Sequence, residues 1–185
     1  HRDSALLAGT QRLRIVDRER AVQPWISPDG RWLLCYNGEI FNYQHLRAEL
    51  IGLGRHFRSK SDTELALEAF LHWGEAAVGR FRGEFAFAIT DRLSGRTYLA
   101  RDPVGVKPLY WSCRDGRLHI ASEVKALVPV AAPVSEVPPG HHGWAAPSAA
   151  PQLAPYVDLT SLRDDRPPID DPAEAAKALR LAVED

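Results

Sequence analysis

From Gly83 the chain alternates with a period of two. Phe85, Phe87 and Ile89 fall on one face; Ala86, Ala88 and Thr90 fall on the other. Successive side chains of a strand point to opposite sides, so the segment is a strand with bulky apolar residues on one side and small residues on the other. Neither side is dominated by charge. Such a strand belongs in a sheet covered on both faces, closely on the alanine side. Asp91-Arg92-Leu93-Ser94-Gly95 then turns the chain into Arg96–Ala100, which predicts an antiparallel hairpin. Tyr110-Trp111 and Leu118–Ala121 form a second pair around Arg114-Asp115-Gly116.

Helices are expected to flank the sheets. Tyr43, Leu46, Leu50 and Leu53 recur at helical spacing, and Gly54 is a stop signal. A second helix is predicted from Ser61, where Ser61 and Glu64 have capping-box spacing and Ala66, Ala69, Phe70 and Trp73 line one face. Gly74 ends it, with room for a short helix beyond, and Glu123–Val128 reads as another. Upstream, Ala5–Val16 reads as extended pieces, Ser27-Pro28-Asp29-Gly30 as a turn, and Trp32–Tyr36 as an apolar strand. After Pro133 the composition shifts to Pro, Ala and Gly, with short extended pieces only. The expected organisation is one α+β domain over 1–155, a linker over 156–170, and a helix over 171–185 that starts at Asp171-Pro172.

At 185 residues with a formal net charge of −1, the chain has no basic excess for nucleic acid. No apolar run is long enough to span a membrane. The two cysteines, Cys35 and Cys113, do not make a disulfide framework, so a cytoplasmic location is the default. Cys35 is expected to be buried, inert packing on its strand, with nothing nearby to serve as a base. His141-His142 lacks metal-ligand spacing, because neighbours on a strand diverge. No phosphate-binding loop is present. The chain contains no methionine. Removal of an initiator Met needs a small residue next, so residues are expected to precede His1.

The richest segment chemically is Tyr36-Asn37-Gly38-Glu39-Ile40-Phe41-Asn42-Tyr43. Asn-Gly alone signals a hairpin turn, yet here it leads into a helix and not into a return strand. The string sets an amide side chain, a backbone N–H and a carboxylate side by side. That grouping can hold a developing oxyanion and a substrate ammonium together. Arg12 could fork a carboxylate, although most arginines are simply on the surface. Asp62 could hold an ammonium group, although an acid at a helix start also satisfies the macrodipole.

Six ordered segments closely resemble the glutaminase domain of the asparagine synthetase family, a class II glutamine amidotransferase. They are Gln11–Asp17, Asn37–Tyr43, Ser61–Glu64, Gly83–Ala88, Ala100–Tyr110 and Ala121–Leu127. The resemblance implies an N-terminal nucleophile hydrolase fold, a four-layer sandwich with two antiparallel sheets between helices. It implies that the Asn37 side chain and Gly38 N–H form the oxyanion hole, that Arg12 binds the glutamine carboxylate, and that Glu39 and Asp62 hold its ammonium. It implies an N-terminal cysteine nucleophile, which His1 does not provide. The partners implied are glutamine and a C-terminal synthetase domain, of which 171–185 resembles the first helix; pairing as a homodimer stays open. No cofactor is expected within this chain, while ATP and Mg are expected for the absent synthetase domain. The alternative is a catalytically silent scaffold, as in the β-lactam synthetase and lasso-peptide cyclase relatives. The final amide acceptor, and the roles of Arg101 and Lys107, are not legible at this level.

Overall fold

The computed structural model describes residues 6–10, 22–159 and 169–184. Two antiparallel sheets organise it. The larger has six strands in the order β1-β2-β3-β4-β8-β9. These are β1 (Trp25–Ile26), β2 (Trp32–Ile40), β3 (Gly83–Asp91), β4 (Thr97–Arg101), β8 (His141–Ala145) and β9 (Gln152–Pro155). The smaller sheet runs β6-β5-β7, from β5 (Tyr110–Arg114), β6 (Arg117–Ala121) and β7 (Ser135–Glu136). Helices α1 (Tyr43–Gly52) and α2 (Asp62–Trp73) contribute to one core with one face of the larger sheet. The short α3 (Val124–Leu127) packs on β5 and β6. A separate helix, α4 (Pro172–Glu184), follows.

The alternation of β3 decides which face goes where. Phe85, Phe87 and Ile89 join Leu34, Tyr36 and Ile40 of β2 in the core that α1 and α2 complete through Leu46, Leu50, Leu65 and Phe70. Phe85 stacks on Phe87 at 5.8 Å, and Phe81 meets Phe85 edge-on at 5.5 Å, the offset and T-shaped geometries aromatic rings prefer. Ala86 and Ala88 face the other way, into a smaller cluster with Leu99, Leu109 and Val137. The expected two-sided cover is present, but the alanine face is not closed along its length. A cleft of about 1680 Å³ runs over it, lined by both sheets.

Three expectations change in detail. The strand read as Trp32–Tyr36 runs on to Ile40, so Asn37-Gly38 lies within a strand and not at a turn. The apolar face read on α2 is instead burial all round from Asp62 to Phe70. The capping box is half formed: the Ser61 hydroxyl accepts the Glu64 N–H at 3.2 Å. The Glu64 carboxylate, however, turns to the Arg58 and Ser59 N–H groups at 2.7 and 2.6 Å. Buried at 1% exposure, this carboxylate closes the loop before α2 and fixes where the helix starts. The turn at Ser27–Gly30 is present, with the Gly30 N–H donating to the Ser27 carbonyl at 2.9 Å.

At the far end of β3, Arg31 forks onto Asp91, with Nε–Oδ1 at 3.0 Å and Nη2–Oδ2 at 2.9 Å. The Leu93 N–H and the Ser94 hydroxyl also donate to this carboxylate. The Arg31 bond, with these donors behind it, outweighs burial and holds the Asp91 carboxyl well below the usual carboxylate range. The unfolded carboxyl takes up its proton near pH 4. A group depressed on folding stabilises fully above that pH and loses its contribution as pH falls toward the folded value. Urea unfolding followed against pH should therefore show wild type above Asp91→Asn at pH 7, with the gap narrowing steadily below about pH 4.

Candidate active site

The site is built on the outer edge of β2. Hydrogen bonds from Phe41 N–H to the Arg82 carbonyl and from Arg92 N–H to the Arg31 carbonyl mark the odd-numbered residues of β2 as those that bond to β3. Antiparallel alternation then turns the even-numbered N–H groups away from β3. The short β1 covers that edge only opposite Leu33 and Leu34. Beyond it, side chains take over. The Tyr36 N–H donates to Gln23 Oε1 at 2.9 Å, and the Ile40 N–H donates to Asp62 Oδ2 at 3.3 Å. Gly38 lies between these two, and its N–H on this edge meets no acceptor among the described residues.

Gly38 is glycine for a steric reason. Its φ is +143°, and a Cβ there would sit 2.1 Å from the Glu84 carbonyl oxygen and 2.6 Å from Phe85 Cα. Gly83 has the reciprocal constraint: a Cβ would lie 2.1 Å from the Glu39 carbonyl oxygen. The paired glycines let β2 and β3 close up where the site is built.

Asn37, Glu39 and Cys35 share the opposite alternation and line the cleft between the sheets. The Asn37 amide and the Glu39 carboxylate carry no hydrogen bond or ion pair among the described residues. Asp62, first residue of α2, also reaches the cleft. Its Oδ2 accepts the Tyr36 hydroxyl at 2.9 Å as well as the Ile40 N–H. The structure thus brings together four of the five predicted site residues: Asn37, Gly38, Glu39 and Asp62. Arg12 lies outside the described residues.

Cys35 corrects the expectation of an enclosed packing residue. It is half-buried and lines the cleft. Burial pushes its thiol pKa up, against a smaller opposing effect from Thr10, so it stays protonated and a poor nucleophile at neutral pH. Cys113 is likewise a free thiol, on β5. The two histidines diverge as expected: His142 bonds to the Tyr98 hydroxyl, whereas His141 Nδ1 meets the Pro139 carbonyl at 2.8 Å. Among the described residues no group of three or more His, Cys, Asp or Glu side chains is placed to hold a metal ion, and no helix is long and apolar enough to cross a membrane.

Arg101 and Lys107, opaque in the sequence, acquire roles. Arg101 is 5% exposed and donates to the carbonyls of Lys107, Gly105 and Val137 at 2.7, 2.9 and 2.8 Å, as well as to Glu136. The fully buried Asp102 carboxylate accepts the N–H groups of Val104, Val106, Lys107 and Phe85 at 3.0–3.3 Å. Together they fix the loop that joins the two sheets. Lys107 then reaches Glu84 across the cleft at 2.8 Å. Glu84 is the cross-strand neighbour of Glu39, so the ammonium of Lys107 offsets the repulsion between two facing carboxylates.

Residues 1–141 match the family model described as a glutamine amidotransferase domain. The chain belongs to that family. Among curated relatives, it is 42% identical over 120 residues to asparagine synthetase [glutamine-hydrolyzing] 1 of Bacillus subtilis, covering 65% of this chain and 19% of that protein. It is 39% identical over 143 residues to asparagine synthetase B [glutamine-hydrolyzing] of Escherichia coli, covering 77% of this chain and 26% of that protein. The amidotransferase domain therefore spans about a quarter or less of these relatives. Among solved structures, glutamine phosphoribosylpyrophosphate amidotransferase from B. subtilis superimposes with a TM-score of 0.63 at 24% identity, covering 74% of this chain and 32% of that one. The shared fold is the N-terminal nucleophile hydrolase type that the sequence motifs imply.

Proposed function

We propose that the amidotransferase domain hydrolyses glutamine and passes the ammonia to an asparagine synthetase-type domain of the same parent protein. The observation that carries this reading is the pair of unsatisfied donors, the Asn37 amide and the Gly38 N–H, set beside two carboxylates at one cleft. A half-buried backbone donor without a partner, as at Gly38, is costly in a folded chain. The exposed Asn37 amide beside it is free to turn to the same ligand, and a tetrahedral oxyanion is the ligand that two such donors suit best. Glu39 and the free oxygen of Asp62 take the substrate ammonium, and Arg12 takes its carboxylate, as the family resemblance implies.

In this reading a cysteine thiolate at the parent protein's N-terminus attacks the side-chain amide carbon of glutamine. The carbonyl oxygen takes the electron pair and is held by Asn37 and Gly38. The C–N bond breaks as the nitrogen gains a proton, ammonia leaves, and a thioester remains. Water then attacks the thioester carbon, releasing glutamate and the thiol. ATP and Mg belong to the neighbouring synthetase domain, where they would activate the acceptor carboxylate; the boundary at 156–170 is where that domain would begin to separate.

The full-length protein tests this. Its N-terminal sequence should start with cysteine, and incubation with L-glutamine should release glutamate and ammonia in equal amounts. Glutamate release that persists after alkylation of that cysteine would sink the mechanism. A parent protein that uses free ammonia but never glutamine would assign the domain to the scaffold reading.

A further inference from the structure

We infer that Tyr36 is a positioning residue for the ammonium end of the substrate site, acting through Asp62; this rests on the glutaminase reading above. Asp62 is 5% exposed and its two oxygens are used differently. Oδ2 accepts the Tyr36 hydroxyl at 2.9 Å and the Ile40 N–H at 3.3 Å. Oδ1 accepts nothing among the described residues, while Asp62 lines the cleft. One oxygen is thus anchored in the protein and the other is left for a ligand. A carboxylate held at one oxygen only by the longer Ile40 bond can rotate about its Cβ–Cγ bond. The shorter, charge-assisted bond from the phenol is the one that stops it.

The phenol is itself fixed. Tyr36 is 4% exposed, and its ring lies 6.5 Å from Phe87 within the helix-side core. Its N–H is held by Gln23 Oε1, and Gln23 Nε2 reaches Thr63 Oγ1 at 3.4 Å, next to Asp62 on α2. Gln23 thereby ties the same two elements, β2 and the start of α2, that the Tyr36–Asp62 bond ties. The group that binds ammonium is located by the strand that carries the oxyanion donors. This couples the two ends of the substrate site.

Tyr36→Phe removes one oxygen and keeps the ring that the core requires. In the full-length protein, kcat/KM for L-glutamine should fall roughly tenfold or more, through KM rather than kcat, as expected for the loss of a hydrogen bond to a charged group. The discriminating substrate is 4-carbamoylbutanoate, which is glutamine without its amino group. Lacking the ammonium, it gains nothing from a well-placed Asp62, and its kcat/KM should change less than twofold. Equal losses on both substrates, or an unchanged KM for glutamine, overturn the assignment and reduce Tyr36 to packing. A wild-type protein that hydrolyses neither substrate overturns the glutaminase reading instead, and the two failures are therefore distinguishable.

Discussion

Replacing Asn37 by alanine should lower glutamine-dependent turnover of the parent protein by about two to three orders of magnitude, the typical cost of one oxyanion donor. The fold should not notice. Asn37 is exposed in the cleft and makes no hydrogen bond among the described residues, so no internal partner is stranded by its loss. Its neighbours Tyr36 and Gly38 keep their strand register opposite Phe87 and Phe85. The fall should appear in kcat and kcat/KM together, because the amide acts on charge that develops only in the transition state. Synthesis driven by free ammonia should stay at the wild-type level, since it bypasses this site. Loss of both activities would point to a structural or docking role for Asn37, and loss of neither would leave a scaffold.

Gly38→Ala should be the most disruptive single-methyl change in the site. The added carbon would stand 2.1 Å from a carbonyl oxygen and 2.6 Å from a backbone carbon of β3. These are main-chain atoms, with no side-chain torsion to swing aside. The φ of +143° adds strain for any residue with a Cβ. β2 and β3 must part over the last residues of β2 and the first of β3, which withdraws Ile40 and Phe85 from the core. A loss of about 3–5 kcal/mol in unfolding free energy is expected, read as a lower urea midpoint, together with loss of glutamine hydrolysis. A near-wild-type midpoint would mean that β2 and β3 open at this point at little cost to the core.

Much of the fold was legible because it rests on periodicity. The Phe85/Ala86 alternation named a bulky and a small-residue face of β3, both covered, though not that a second sheet lies over the small one, and the spacing of Leu46 and Leu50 placed α1. The errors have local causes. Asn37-Gly38 carries the composition of a turn, and the chain leaves the sheet soon afterwards, so the strand seemed to end at Tyr36. What holds the dipeptide in the strand is the close approach of Glu84 and Phe85, more than forty positions away, which no local pattern encodes. The Glu64 carboxylate likewise abandons the local capping partner for the Arg58 and Ser59 N–H groups. In the site, Asn37, Gly38 and Glu39 were legible because they are contiguous. Asp62 was legible only through the family motif, since an acid at a helix start has an ordinary explanation. The phenol that anchors Asp62 had no signal at all: a tyrosine on an apolar strand reads as core, and here it is core as well. Arg101 and Asp102 work through backbone groups, which are the same for every sequence, so their function could be seen only once the loop was folded.

That loop has a consequence for how the domain can diverge. Arg101 and Asp102 grip main-chain carbonyls and amides of residues 104 to 107, while the side chains of Val104 and Val106 stand 64% and 51% exposed. The shape of the loop therefore depends on this buried pair and on Gly105, whose φ of +72° a side chain rarely adopts, and hardly at all on the side chains of Val104 and Val106. Positions 104 and 106 can be rewritten, one amino acid at a time, without reshaping the backbone beneath. A protein built this way keeps a rigid, replaceable label on its surface, a short stretch in which new recognition can evolve or be engineered while the hinge between its sheets stays as it is.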